Sequence, residues 1–270
     1  MFKYLDPYTL RARLSPAVIA AAPAFAAIAL LISWSKFSIS NSIATAGLVA
    51  LLFALADLAR RRGKAIEPQL YSEMGGKPTI TMLRHSDNIA FDAASRARYH
   101  AFLGEKINEA PPTEADELAN PVAADSFYDR CGGWLRENTR NTKKFNLLLN
   151  ENITYGYRRN LLGLRRPALS LNLLVVTICL FFLNWGSVPL QDIEHLNNRI
   201  FVVLVVAILH ALYLTFGVNK VAVTEASRTY ARQLIYSCET FLGKKTPVSA
   251  KPKKTKKANL TSSPLPLGLD

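Results

Sequence analysis

Four long apolar runs separate the charged residues of this chain and limit what it can fold into. They occupy residues 17–34, 43–59, 168–185 and 200–218, and none of them contains Lys, Arg or Glu. The hydrocarbon core of a bilayer is about 30 Å thick and is crossed by about 20 apolar residues in a helix, with a lower limit near 17. The runs therefore predict four membrane-spanning helices, arranged as two hairpins.

Lys and Arg are distributed unevenly around these runs, and their distribution predicts the orientation of the spans. Basic residues are retained at the cytoplasmic ends of membrane helices. They are concentrated in residues 3–13, 60–64, 158–166 and 220–228, whereas the turns inside the two pairs hold only Lys36 and Arg199. Both termini and the long middle segment are therefore predicted to be cytoplasmic. The net charge of +13 favours a membrane surface, and nucleic acid is disfavoured as a partner.

The spans divide the chain into six predicted parts, and the fold class is an all-α integral membrane protein. The parts are a cytosolic N-terminus (1–16), a first transmembrane hairpin (17–59), a mostly helical cytosolic module (60–167), a second transmembrane hairpin (168–218), a cytosolic amphipathic helix (219–242) and a disordered basic tail (243–270).

Apolar periodicity predicts the elements of the module. It indicates helices at residues 92–107, 123–138 and 142–162 and a short strand at 79–83. Gly163 and Pro167 punctuate the pattern between the last of these helices and the third span, so a flexible joint is predicted there. The helix at 219–242 is expected to continue from the fourth span and to pack on 142–162.

A small group of basic and imidazole side chains in the module offers the only candidate ligand-binding site. The turn "MGGKP" (residues 74–78) resembles a phosphate loop, but Tyr71 stands where the Walker pattern needs Gly, and Pro78 follows the lysine. A plain turn is favoured, with a looser anion-binding turn as the alternative. The candidate ligand-binding residues are Lys77, Arg84, His85, Arg96, Arg98 and His100. No catalytic or metal-binding motif is recognised, so we expect neither a cofactor nor enzymatic activity, and a membrane-bound hydrolase using His85 and His100 is kept as a minor alternative.

Three polar residues lie within the predicted spans. Asp57 precedes Arg60 by three positions and Arg61 by four, which favours an ion pair at the interface over a role at a pore mouth. His210 lies at about the depth of Thr177 in an antiparallel hairpin. A hydrogen bond between these two side chains is the favoured interpretation, and a pore-lining or proton-sensing imidazole is the alternative.

Small residues recur every four positions in the first hairpin, at Ala22 and Ala26 and again at Ala46, Ala50 and Ala54. Such spacing lets helix backbones approach closely, which favours association in lipid. Packing within one chain is favoured over packing between chains, and both stay open.

Three phrases, "GGKPTITMLR" (75–84), "RYHAFL" (98–103) and "ENITYGYRRNLLGL" (151–164), together with the hairpin–module–hairpin arrangement, carry a resemblance to a known class. The chain resembles the small bacterial inner-membrane proteins of the four-transmembrane effector type associated with anti-phage defence. This resemblance implies a location in the bacterial inner membrane and no catalytic residue.

The leading functional hypothesis is an effector whose cytosolic module senses a signal and controls oligomeric membrane helices that permeabilise or remodel the membrane. The expected partners are the lipid bilayer, further copies of the chain and, as the trigger, a cytosolic protein or a nucleotide-type signal. The alternative is a non-conducting membrane scaffold that recruits a cytosolic partner.

Overall fold

The computed structural model describes residues 6–31, 41–87, 89–184 and 196–243, except for the side chains of residues 41–46 and 48. Within these ranges the chain consists of helices joined by turns and short connections and has no strand, which confirms the all-α class. Of the predicted tail, residues 243–270, all but Gly243 lie outside the described residues.

The N-terminal elements form a bent rod. A π-helical segment, Thr9–Leu14, leads into α1 (Ser15–Ala20), and α2 (Ala22–Leu31) follows after a bend of 58°. The bend has a local cause, because Pro23 has no N–H with which to bond the carbonyl of Ile19 four residues earlier. A long helix, α3 (Asn41–Ala65), then carries the chain to the module.

The module consists of five short or medium helices. They are α4 (Glu67–Glu73), α5 (Pro78–Thr81), α6 (Ala93–Ile107), α7 (Glu114–Ala119) and α8 (Pro121–Asn138). The helices predicted at 92–107 and 123–138 are confirmed as α6 and α8. The strand predicted at 79–83 is wrong: Pro78 sits in the first turn of a helix, where its fixed φ is favourable and its missing N–H costs nothing.

The longest helix, α9 (Asn146–Asn184), runs from the module into the third apolar run without interruption. The flexible joint predicted at residues 163–167 is therefore wrong. A Cβ on Gly163 would lie 2.5 Å from the carbonyl carbon of Arg62, so this glycine allows close approach of α3 and is not a break. Pro167 removes one backbone hydrogen bond, and packing on both sides holds the helix together.

The last elements are α10 (Leu196–Leu212), a π-helical segment (Tyr213–Gly217) and α11 (Lys220–Leu242). The predicted continuous extension into α11 is interrupted, because Val218 and Asn219 are extended and the Asn219 side chain accepts the Ala222 N–H to begin the new helix. As expected, α11 packs on α9, where the rings of Tyr155 and Tyr230 stack.

Among the described residues, two helices are long and apolar enough to cross a membrane. They are Asn146–Asn184 and Leu196–Gly217, and the bent pair Thr9–Ala20 and Ala22–Leu31 would make a third if it counts as one span. The chain therefore has the character of a membrane protein. The second predicted run, 43–59, lies within α3.

The helices that contain the four apolar runs pack across the two predicted hairpins. In one cluster, Leu31 of α2 packs with Val175 and Cys179 of α9 and with Ile200 and Val203 of α10. A second cluster joins α1, α3, α9 and the end of the π-helical segment. The module core lies above them, with buried side chains from α5, α6, α8, α9 and α11.

Candidate functional site at the base of the module

Two of the candidate ligand-binding residues, Lys77 and Arg84, pair with carboxylates of α8. The Lys77 ammonium lies 3.0 Å from the nearer oxygen of Asp129, and the Arg84 guanidinium donates two hydrogen bonds, of 2.8 and 2.6 Å, to Asp125. Arg84 also donates to the carbonyl of Gly75 in the "MGGKP" turn. Lys77 and Arg84 thus attach the turn to α8, and we assign no anion to it.

The two histidines are brought together, with ring centroids 5.0 Å apart. The Nε2 atom of His85 lies 2.9 Å from the Pro112 carbonyl oxygen, and that of His100 lies 2.7 Å from the Leu83 carbonyl oxygen. His100 is buried and stacks on Tyr128. Burial lowers the pKa of His100 to about 4, an effect that the Leu83 carbonyl opposes only in part, so the imidazole is neutral at pH 7.

The remaining two candidates connect α6 to its surroundings. Arg96 donates to the carbonyl of Asp87, and Arg98 pairs with Glu239 of α11. Sequence reasoning missed Glu117, a buried carboxylate that accepts hydrogen bonds from the backbone N–H of His85 and, at 2.8 Å, from the Tyr128 hydroxyl. These polar residues therefore act inside the module as cross-links between its elements.

We expect His100→Gln to remove part of the acid sensitivity of the fold. The pKa of His100 is lower in the folded chain than its ordinary 6.5, so the unfolded chain binds more protons between about pH 4 and 6.5. The free energy of unfolding therefore falls as the pH drops through this window, by up to about 3 kcal/mol. Glutamine can still donate to the Leu83 carbonyl but does not titrate. Thermal unfolding in detergent at pH 7 and pH 4.5 measures the effect, and equal acid losses in both proteins would contradict it.

A second group of polar side chains lies between the module and the helices that contain the apolar runs. The Arg159 guanidinium of α9 is almost fully buried and lies 2.5 Å from the Glu67 carboxylate of α4. The Tyr155 hydroxyl donates to the same carboxylate at 3.0 Å, so its oxygen accepts the hydroxyl proton of Tyr71, 3.0 Å away. This group, the junction network, ties α9 to α4.

Asn160 extends the junction network to the N-terminal rod. Its side-chain oxygen accepts two hydrogen bonds from Arg159, and its amide donates to the Ala12 carbonyl at 2.6 Å. A Cβ on Gly63 of α3 would lie 2.0 Å from that oxygen. The N-terminal rod, α3, α4 and α9 therefore meet around one buried side chain.

The sequence carried a signal for this junction. Gly156, Asn160 and Gly163 occupy positions i, i+4 and i+7 of α9 and so share one helical face. A Cβ on Gly156 would lie 2.9 Å from the Tyr8 hydroxyl, which shows that both glycines of this face contact other helices closely. The apolar periodicity predicted a helix over residues 142–162 but no close helix contact at this face.

No known protein family, no curated protein and no solved structure matches this chain. Its function is therefore argued from its own residues.

The polar residues of the predicted spans have the following partners. Asp57 pairs with Arg61 at 2.6 Å, as the four-residue spacing predicts, and both side chains are exposed. The predicted bond between His210 and Thr177 does not form, because the Thr177 hydroxyl donates to Leu173 of its own helix and His210 Nε2 lies 2.9 Å from the Ile19 carbonyl oxygen. Pro23, four residues after Ile19, has no N–H to offer that carbonyl.

The contact between His210 and Ile19 predicts a rescue experiment. His210→Leu is expected to lower the free energy of unfolding by about 1 kcal/mol, because the Ile19 carbonyl loses its donor in an apolar setting. Pro23→Ala restores a backbone N–H that can bond this carbonyl, so the double variant is expected to regain most of the loss. Unfolding of the four proteins in detergent measures it, and a double variant less stable than H210L would contradict the argument.

Proposed function

We propose that the protein is an effector of the bacterial inner membrane in which a cytosolic sensing module controls membrane helices that oligomerise and permeabilise or remodel the bilayer. The proposal includes four spans with both termini in the cytoplasm. Two helices of the required length and apolarity among the described residues support the membrane part, and the charge distribution of the sequence supports the orientation.

The observation that carries this proposal is the continuity of α9. Its N-terminal part contributes Leu148 to the module core, and its C-terminal part contributes Val175 and Cys179 to the core of the membrane helices. A 39-residue helix is about 58 Å long and transmits a displacement at one end to the other. A change at the module therefore moves the membrane helices directly.

The outer faces of the membrane helices support oligomerisation. Leu174, Leu209 and Phe216 are exposed large apolar side chains on α9, α10 and the π-helical segment. On α3, Ala50 and Ala54 are exposed. Of the two packing modes predicted for the small residues, exposure at these two positions favours packing between chains.

Membrane potential in cells that overproduce the protein tests the proposal. The wild-type chain is expected to depolarise the cells and admit propidium. The variant A50L/A54L is expected to reach the membrane at the same level without depolarising it, because bulk on this face prevents close helix approach. Ala101→Leu is the matched control, since Ala101 is exposed on α6 of the module. An unchanged potential with the inserted wild-type chain would contradict the proposal.

A non-conducting scaffold is the second candidate. It is favoured by two exposed apolar side chains, Leu118 near the end of α7 and Val122 at the start of α8, which suit a cytosolic protein partner. A scaffold keeps its function when unrelated spans replace residues 168–218, whereas a permeabilising effector loses it.

A further inference from the structure

A basic cleft of about 530 Å³ opens at the boundary between the membrane helices and the module. Its cationic lining residues are Arg165 and Arg166 of α9 and Lys220, the first residue of α11. Arg165 and Arg166 directly precede the third apolar run, and Lys220 follows the fourth. The three cations therefore lie at one level, near the ends of the two apolar runs contained in the helices that are long and apolar enough to span a membrane.

Part of the positive charge in the cleft is not neutralised by carboxylates. Arg165 donates one hydrogen bond to each of the Thr215 and Val218 carbonyls and has three more N–H groups. Lys220 pairs with Glu73 at 2.5 Å. Arg166 is exposed and contacts no carboxylate in the part of the chain that the structure describes. The cleft therefore has three cationic side chains and only one carboxylate paired with them among the described residues.

The same cleft continues into an apolar surface. Ile66 and Leu162 line its walls together with Leu169. Arg166, Leu169 and Leu173 occupy positions i, i+3 and i+7 of α9 and so form one face, along which Leu173 is 68% exposed. A ligand that fits both parts has an anionic head at Arg166 and an apolar chain along Leu169 and Leu173.

We propose that this cleft binds the phosphate headgroup of an anionic phospholipid. Arg165 and Arg166 hold the phosphate oxygens, Lys220 adds charge, and an acyl chain lies on the α9 face below. Guanidinium groups are suited to phosphate because their N–H groups match its oxygens in pairs. Basic pockets between membrane helices at the cytoplasmic side recognise anionic headgroups by the same chemistry. The proposal concerns lipid binding and does not depend on permeabilisation.

Native mass spectrometry of the full chain in detergent, titrated with phosphatidylglycerol or phosphatidylcholine, tests the proposal. The wild-type chain is expected to bind phosphatidylglycerol more tightly. Near a membrane surface each basic side chain contributes about 1 kcal/mol, or about a fivefold change in affinity. Arg166→Gln is therefore expected to weaken phosphatidylglycerol binding about fivefold, and R165Q/R166Q about 25-fold. Arg166 is exposed, so R166Q is expected to keep the fold even if Arg165→Gln disturbs the contacts with the Thr215 and Val218 carbonyls.

The matched control is Arg232→Gln, which removes the same charge from an exposed position on α11 and is expected to bind like the wild type. Equal phosphatidylglycerol binding by wild type and R166Q overturns the proposal, as does equal binding of the two lipids. Millimolar inorganic phosphate is the arm that distinguishes the two sources of phosphate. Failure to displace the lipid supports a lipid site, whereas full displacement identifies a site for soluble phosphate and overturns the assignment.

Discussion

Gly163→Ala is expected to lower the free energy of unfolding by about 3 kcal/mol, at the upper end of what overpacking usually costs. The added methyl group would lie 2.5 Å from the Arg62 carbonyl carbon and 2.7 Å from the Gly63 nitrogen. These are backbone atoms of α3, so no side chain can rotate away, and the two helices must separate. Thermal unfolding of the full chain in detergent measures the loss.

Gly133→Ala is the control for this substitution. Gly133 lies within α8, and the nearest atom to an added Cβ is the Arg136 Nη2 at 3.9 Å, an ordinary contact. Alanine is favoured over glycine inside a helix by about 1 kcal/mol, so this variant is expected to be at least as stable as the wild type. Equal unfolding temperatures for G163A and G133A would contradict the close approach of α3 and α9.

Arg159→Met is expected to cost about 3–5 kcal/mol, the usual effect of removing one partner of a buried ion pair. It leaves the Glu67 carboxylate without its cation and removes two donors from Asn160. Glu67→Gln is expected to destabilise for the converse reason, since it leaves the buried guanidinium without an anion. Both variants are expected to weaken the attachment of α4 to α9.

The double variant R159M/E67Q gives the sharper measurement. It contains neither charge, and the glutamine oxygen still accepts the Tyr155 hydroxyl proton, so its loss is expected to be smaller than the sum of the single losses by about 1–3 kcal/mol. Arg140→Met is the matched control, because Arg140 pairs with Glu137 at the same 2.5 Å but on the surface. Exposed pairs contribute at most about 1 kcal/mol. Additive losses, or an equal loss in R140M, would contradict a buried network.

The sequence determined the features that depend on near neighbours along the chain. Apolar periodicity predicted α6 and α8, and the four-residue spacing of Asp57 and Arg61 predicted their ion pair. Such features follow from helix geometry within one or two turns, where residues three or four apart share a face. The helical class, and apolar runs suited to a membrane, follow from the same local regularity.

The tertiary structure decided everything that depends on residues far apart in the chain. Gly163 was expected to interrupt the helix, but the close contact with α3 requires a residue without a side chain at this position. His210 bonds the Ile19 carbonyl, 191 positions away, to which Pro23 has no N–H to offer, and does not bond the nearer Thr177. The candidate ligand-binding residues contact carboxylates and carbonyls from other parts of the fold, so these partners occupy their polar atoms. The physical reason is that a buried polar group must find a partner, and only the packing of distant helices determines which one lies within reach.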